Sequence, residues 1–146
     1  MTTPADIITA NRFSLAVDGN EIASFSDLVA ITAEVEAVPH LESSDQTVRY
    51  NLTAGNLKPP MIVLKRAMNR SMELSAWNDA VRKGTIEAAR RSCSLTMYAD
   101  AKPVAKYWLE QAWPTKLDIS AMKAGTSTVM YETVTLVCDY IQRVSP

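Results

Sequence analysis

Long apolar runs are missing from this chain of 146 residues: no stretch approaches the ~18 apolar residues that a helical membrane span needs. Histidine occurs once, at His40, and cysteine twice, at Cys93 and Cys138, with no CxxC pair. A zinc site takes three or four Cys, His or carboxylate ligands at workable spacing, which one histidine and two distant cysteines do not supply. Nucleophilic hydrolysis needs a base beside the nucleophile and a third group to orient it, and no GxSxG accompanies His40. GxGxxG, Walker and EF-hand patterns are absent as well. No catalytic residue, metal or cofactor is therefore expected. The opening ten residues have no positive region followed by an apolar run, so a secretory leader is not expected either.

A dominant charge of one sign is also lacking. The formal net charge is −1, which removes any global electrostatic case for nucleic acid or an anionic membrane. Both cysteines lie in apolar alternating segments, where the thiol behaves as a small hydrophobe; a disulfide or a metal role is the alternative.

What is present is alternation with period two, over one domain spanning residues 1–146. After an extended arm at 1–10, Phe13, Leu15 and Val17 run into Asp18-Gly19, a hairpin signal, and Ile22 to Phe25 return. Strand character continues through 29–38 and 61–65. Between them, 39–60 is rich in Ser, Asn, Asp, Gly and Pro and reads as a long loop that meets a partner. A helix is expected over 71–83, with Leu74, Trp77 and Val81 on its apolar stripe, Ser71 as N-cap and Gly84 just beyond its end. A helical turn at 85–89 follows. From Arg90 the pattern is strand again, turning at 100–103, bending or ending at Trp113-Pro114, turning at 123–125 and closing with 129–144. About seven strands and one helix make this a mainly β fold, a closed or nearly closed antiparallel barrel with the helix over one mouth or side. Trp108 and Trp113 are expected as core or interface aromatics rather than as a stacking platform.

Charge placement is more informative than net charge. Residues 18–45 hold seven acidic side chains (Asp18, Glu21, Asp27, Glu34, Glu36, Glu42, Asp45) and no lysine or arginine. Residues 58–91 hold eight basic ones (Lys58, Lys65, Arg66, Arg70, Arg82, Lys83, Arg90, Arg91) against three acidic. Period-two spacing puts Glu34 and Glu36 on one strand face, which does not make a catalytic carboxylate pair. Two such blocks are either solvated faces or the two halves of a head-to-tail contact between copies.

Three segments carry a family resemblance. They are NRFSLAVDGNEIASFSDLVAITAEVE (11–36), IVLKRAMNRSMELSAWNDAV (62–81) and PVAKYWLEQAWPTKLDISAMKAGTSTVMYETVTLVCDYIQRV (103–144). Strand with Asp-Gly, Leu-Lys-Arg ahead of a Trp-bearing helix, Ala-Trp-Pro and then YETVTL together resemble the tail tube proteins of contractile phages. The likeness is nearest to the inner tubes of phage-tail-like contractile injection systems.

That resemblance implies an Hcp-like β-barrel and a purely structural role. Six copies would form a ring whose inner sheets join, and rings would stack into a hollow tube. The implied partners are further copies of the chain, a contractile sheath protein, baseplate and terminal cap proteins, and protein cargo in the lumen. Sequence-specific nucleic acid and a stable membrane anchor are not among them. Assembly in the bacterial cytoplasm follows from the same likeness. The alternatives are a phage virion tube that conducts DNA and, in another class, a monomeric small-ligand-binding barrel. We expect the acidic residues Glu34, Glu36, Glu42 and Asp45, with Arg49 nearby, to meet Lys65, Arg66 or Arg70 across a boundary between copies. Charge reversal at Arg66 and Arg70 is then expected to abolish stacking and leave the monomer folded.

Overall fold

The computed structural model describes residues 7–44, 46–121 and 128–144, without the side chain of Ser44. Asp45 and the expected turn at 123–125 lie outside the described residues, as does 1–6 of the expected arm. Eight strands and two helices follow in the order β1 (Arg12–Val17), β2 (Asn20–Phe25), β3 (Asp27–Ser44), β4 (Thr47–Ala67), α1 (Glu73–Arg82), α2 (Ile86–Ala89), β5 (Arg91–Ala99), β6 (Lys102–Ala121), β7 (Met130–Val137) and β8 (Tyr140–Val144).

All pairings are antiparallel, and the hydrogen-bonded path runs β2-β1-β5-β6-β7-β4-β3, with β8 also on β6. One long strand, β6, serves both halves of the barrel. β6 pairs with β5 and β8 through its first half and with β7 from Trp113 onward. Its corner holds Gln111 at φ 52°, with the register shifting between Pro114 and Lys116. Proline therefore bends this strand without ending it. Beyond Ala112 the strand has a ladder partner on one side only, an edge position of the kind where proline is tolerated. At the other corner only Ser26 separates β2 from β3. Its N–H donates to the Lys65 carbonyl at 3.2 Å, so one continuous segment leaves β1 and joins β4. The expected antiparallel barrel is thus built from one open path brought nearly full circle at Ser26.

Alternation decides what the barrel encloses. Leu15, Phe25, Ile62, Leu64, Cys93, Leu95, Leu109, Val134 and Leu136 form the buried core. α1 adds Leu74 and Trp77, both buried, and Val81 packs half-buried against them. The Trp77 Nε1–H donates to the Ala89 carbonyl at 2.6 Å, tying α1 to α2 and satisfying the indole inside the core. The helix stops where Gly84 stands at φ 84°: Gly84 N–H bonds Val81 O and Thr85 N–H bonds Ala80 O, a Schellman ending that needs a left-handed residue. Its start differs from expectation. The cap position belongs to Met72, and Ser71 sits one residue earlier, its Oγ 3.5 Å from the Glu73 N–H.

The loop expected over 39–60 is corrected by the structure. β3 and β4 pair from Asp27↔Lys65 out to Ser44↔Thr47, so this stretch is the outer part of a long two-stranded ribbon. Its prolines and Gly55 do not break it. The ladder shifts register between Val35 and Ala37, opposite Gly55. A Cβ at Gly55 would stand 2.7 Å from Val38 Cγ2 and 3.2 Å from Glu36 Oε2, so any larger residue there would displace those side chains.

Candidate assembly surfaces

Sheet pairing leaves backbone unpaired at defined places. The second half of β6, β7, β4 and β3 form one four-stranded sheet. Among the described residues, β3 pairs only with β4, and β6 beyond Ala112 pairs only with β7. The sheet therefore ends in two open edges on opposite sides. Cross-strand partners share a face, and the face turned from the core carries the rows Asp27, Lys65, Thr133, Asp118 and Ala30, Val63, Thr135, Lys116. It is polar, rich in threonine and balanced in charge, with Lys116 Nζ 3.2 Å from Asp118 Oδ2 and Lys65 Nζ 4.6 Å from the Tyr131 ring centroid.

Beyond the barrel the ribbon has two unlike faces. One bears Pro39 opposite Leu52, Leu41 opposite Tyr50, and Ser43 opposite Val48, extended inward by Val35 and Leu57. Apart from Ser43 these are largely apolar groups left in solvent, Tyr50 72% and Leu57 80% exposed. The reverse face bears Glu34 opposite Lys58, His40 opposite Asn51, and Glu42 opposite Arg49. Glu34 and Lys58 approach to 3.6 Å, Asn51 Nδ2 donates to Glu42 Oε1 at 3.3 Å, and His40 Nε2 lies 3.2 Å from Thr53 Oγ1. A two-stranded hairpin alone in water is marginal, and here the outer part of its apolar side is exposed, with Leu41, Val48, Tyr50 and Leu52 all in solvent.

Several candidate residues stand where alternation puts them and not where the charge reading did. Arg66 is only 4% exposed and its Nε donates to Glu132 Oε2 at 2.9 Å, with Glu132 equally buried. Arg66 shares parity with Ile62 and Leu64, and Glu132 with Val134 and Leu136, so both side chains enter the core. Arg66 cannot reach another copy, and reversing its charge would bury two like charges together. The expectation that Arg66 and Arg70 reversal spares the folded monomer is corrected on this ground. The Arg66 Nη2 group is buried without a hydrogen-bond partner, which makes the pair sensitive to any loss. Lys65 is half-buried over Tyr131, Arg70 is exposed, and Glu36 is exposed on the ribbon. The acidic side chains Glu34 and Glu42 face Lys58 and Arg49 of the same ribbon.

For Trp108 the core alternative is corrected. It is 39% exposed on the outer face of β6, opposite Gln142, because Leu109 takes the inward position. Trp113 is half-buried at the corner. Cys93 and Cys138 are free and buried; burial pushes the Cys93 thiol up to about 12 and Cys138 up to about 11, each holding its proton. No cluster of His, Cys, Asp and Glu that would hold a metal occurs among the described residues, and no helix there is long and apolar enough to cross a membrane.

Residues 9–142 match the family described as T4-like virus tail tube protein gp19. No curated protein matches the sequence. The fold is similar to a chain in a cryo-EM structure of the anti-feeding prophage (AFP) baseplate, 6-fold symmetrised. That chain is 18% identical at TM-score 0.74, with 99% of this chain and 98% of that one covered. A chain of the extracellular contractile injection system PVC sheath-tube complex in the extended state gives TM-score 0.69 at 15% identity, with both chains covered in full. A mutant form of the Hcp1 protein from the E. coli EAEC 042 pathovar gives 0.53 at 16%, covering 92% of this chain and 89% of that one. At such identities these likenesses concern the fold.

Proposed function

We infer the working form of this chain from the family to which it belongs, that of the T4-like virus tail tube protein. The chain is a tail tube subunit. The form proposed is a ring of six copies, stacked with other rings into a rigid hollow tube inside a contractile injection particle. The observation that carries it is the four-stranded sheet with an open edge on each side. An edge of that kind is an aggregation hazard unless it is covered. Two unlike edges pair heterologously, and a rotation that closes makes a ring. In that ring the β6 edge of one copy continues into β3 of the next.

The polar, charge-balanced face of this sheet then suits the wall of a wet lumen, while the apolar core lies behind it. The ribbon from 38 to 60 would reach a neighbouring copy and bury its apolar face there. A sheath outside, with baseplate and cap proteins at the tube ends, completes the particle, in keeping with the likeness of fold to AFP and PVC chains. The role is mechanical and non-enzymatic: the sheath shortens and drives the tube through a target envelope, with protein cargo in the lumen. Subunits would assemble in the bacterial cytoplasm. Electron microscopy of the purified protein tests this directly. Six-membered rings or stacked tubes are expected; a stable 16.1 kDa monomer at every concentration would sink the reading.

A further inference from the structure

The two open edges of the four-stranded sheet are out of step. One row across it runs Asp27, Lys65, Thr133, Asp118, and the next row toward the ribbon runs Leu28, Leu64, Val134, Leu117. β3 begins at the first of these rows, whereas β6 runs on past it through Ile119 and Ser120 to Ala121. Each edge also carries core-face side chains that its own chain covers incompletely. Leu28 and Ile31 on β3 and Leu117 on β6 pack half-buried against the core, and Ile119 stands 52% exposed.

Every pairing from β6 through β7 and β4 to β3 is antiparallel, so the two edge strands run in opposite directions. Rotation about a ring axis keeps strand direction, so β6 of one copy meets β3 of the next as an antiparallel pair. A slip of one residue would turn core side chains toward the polar face, which leaves only even steps. The flush register sets Asp118 against Asp27, like charges directly opposite, and leaves 119–121 without a partner. A step of two toward the ribbon sets Ser120 against Asp27, Ile119 against Leu28 and Leu117 against Ile31. The like-charge pair gives way to a hydroxyl that can donate to a carboxylate, and all four apolar edge side chains gain an apolar partner. A step of four puts Ala121 against Leu28 and carries Leu117 beyond Ile31. A step of two the other way brings Lys116 to Asp27 but leaves 117–121 unpaired.

We propose that copies join in this staggered register, the β6 edge of one set two residues along β3 of the next toward the ribbon. The pairs between copies are Ser120 with Asp27 on the lumen face, and Ile119 with Leu28 and Leu117 with Ile31 behind it. This rests on the ring reading above and adds to it the register and the contact residues. The same step at every joint carries the strands round at a tilt, as closure of a barrel requires.

Disulfide trapping in assembled tubes tests the register. Directly opposed residues of an antiparallel pair stand about 4.5–5.5 Å apart between Cα atoms, within disulfide reach, and an error of two residues moves them to about 7–8 Å, past its usual range. Ser120→Cys with Asp27→Cys in one chain should give a ladder of multimers up to the closed ring on non-reducing gels. Within a chain these positions lie on opposite edges, about 14 Å apart at ~4.8 Å per strand, and cannot bridge. Cys93 and Cys138 are buried and stay silent. Linkage instead from Asp118→Cys with Asp27→Cys, the flush register, or from Asp118→Cys with Thr32→Cys, a step of four, overturns the proposal while the tube reading stands. Normal tubes in which positions 120 and 27 stay unlinked do the same, whereas a wild-type chain that never forms rings sinks both. As a second measure, Ile119→Asp should lower ring yield by about tenfold or more with unchanged far-UV circular dichroism. Ile119 has no partner in the flush register, so wild-type yield from that variant contradicts the proposal.

Discussion

The barrel and the ribbon are made of the same β3 and β4 strands, yet they obey different rules. In the barrel, Ile62 and Leu64 are wholly buried while Val63 between them faces outward, and every second residue is accounted for by its own chain. In the ribbon, Leu52 and Tyr50 share a face as orderly as that of Ile62 and Leu64, yet both lie in solvent. Alternation in the first region reports a core. In the second it reports an apolar surface exposed in the single chain, which the proposed assembly would cover. The difference locates the boundary between what one chain stabilises and what only an assembly does.

Substitutions ranked by their effect on folding of the free subunit probe this boundary. The largest belongs to the buried ion pair: Glu132→Ala leaves the Arg66 guanidinium unpaired in the core and should cost about 3–5 kcal/mol in urea unfolding. A loss under about 1 kcal/mol would show that water reaches the site. Leu95→Ala, at a wholly buried core position, should cost about 2–5 kcal/mol by the same measurement.

A smaller, pH-dependent effect belongs to the thiols. Cys93 and Cys138 ionise from a reference value of 9.0 when unfolded, against about 12 and about 11 when folded. Below pH 9 both states keep the protons; above it the unfolded chain releases them first, so stability falls as pH rises toward the folded values. Thermal melts from about pH 8 to about pH 10.5 should show wild type losing more than a Cys93→Ala, Cys138→Ala variant. Equal slopes would assign the alkaline loss to other groups. The smallest effect on folding belongs to the ribbon. Tyr50→Asp with Leu52→Asp should leave stability within about 0.5 kcal/mol, while tubes disappear from electron micrographs.

The same contrast explains what could be read from the residues alone. Strands 13–17, 22–25 and 92–97, the helix with Leu74 and Trp77, and the Gly84 ending were legible because each signal is local and self-consistent. Arg66 was misplaced by a reading of charge, although its parity with Ile62 and Leu64 marks it as inward, and its partner Glu132 drew no reading at all. Of the two places expected for Trp108, core or interface, the core is excluded because Leu109 beside it holds the inward position. The ribbon was illegible for another reason. Pro39, Gly55, Pro59 and Pro60 carry loop signals, and the apolar groups that argue for a strand, such as Leu41, Tyr50 and Leu52, are exposed and so report no core. The open sheet edges were equally hidden, since pairing is a property of the folded whole.

Hydrogen exchange, measured on free subunits and on assembled tubes, tests the division most directly. The account predicts that amides of 38–44 and 46–60 exchange fast in the free subunit and gain protection of at least a hundredfold on assembly, while those of Ile62, Leu64, Leu95 and Val134 are protected in both. Ribbon amides as slow as these core amides in the free subunit, or unchanged in the tube, would contradict it.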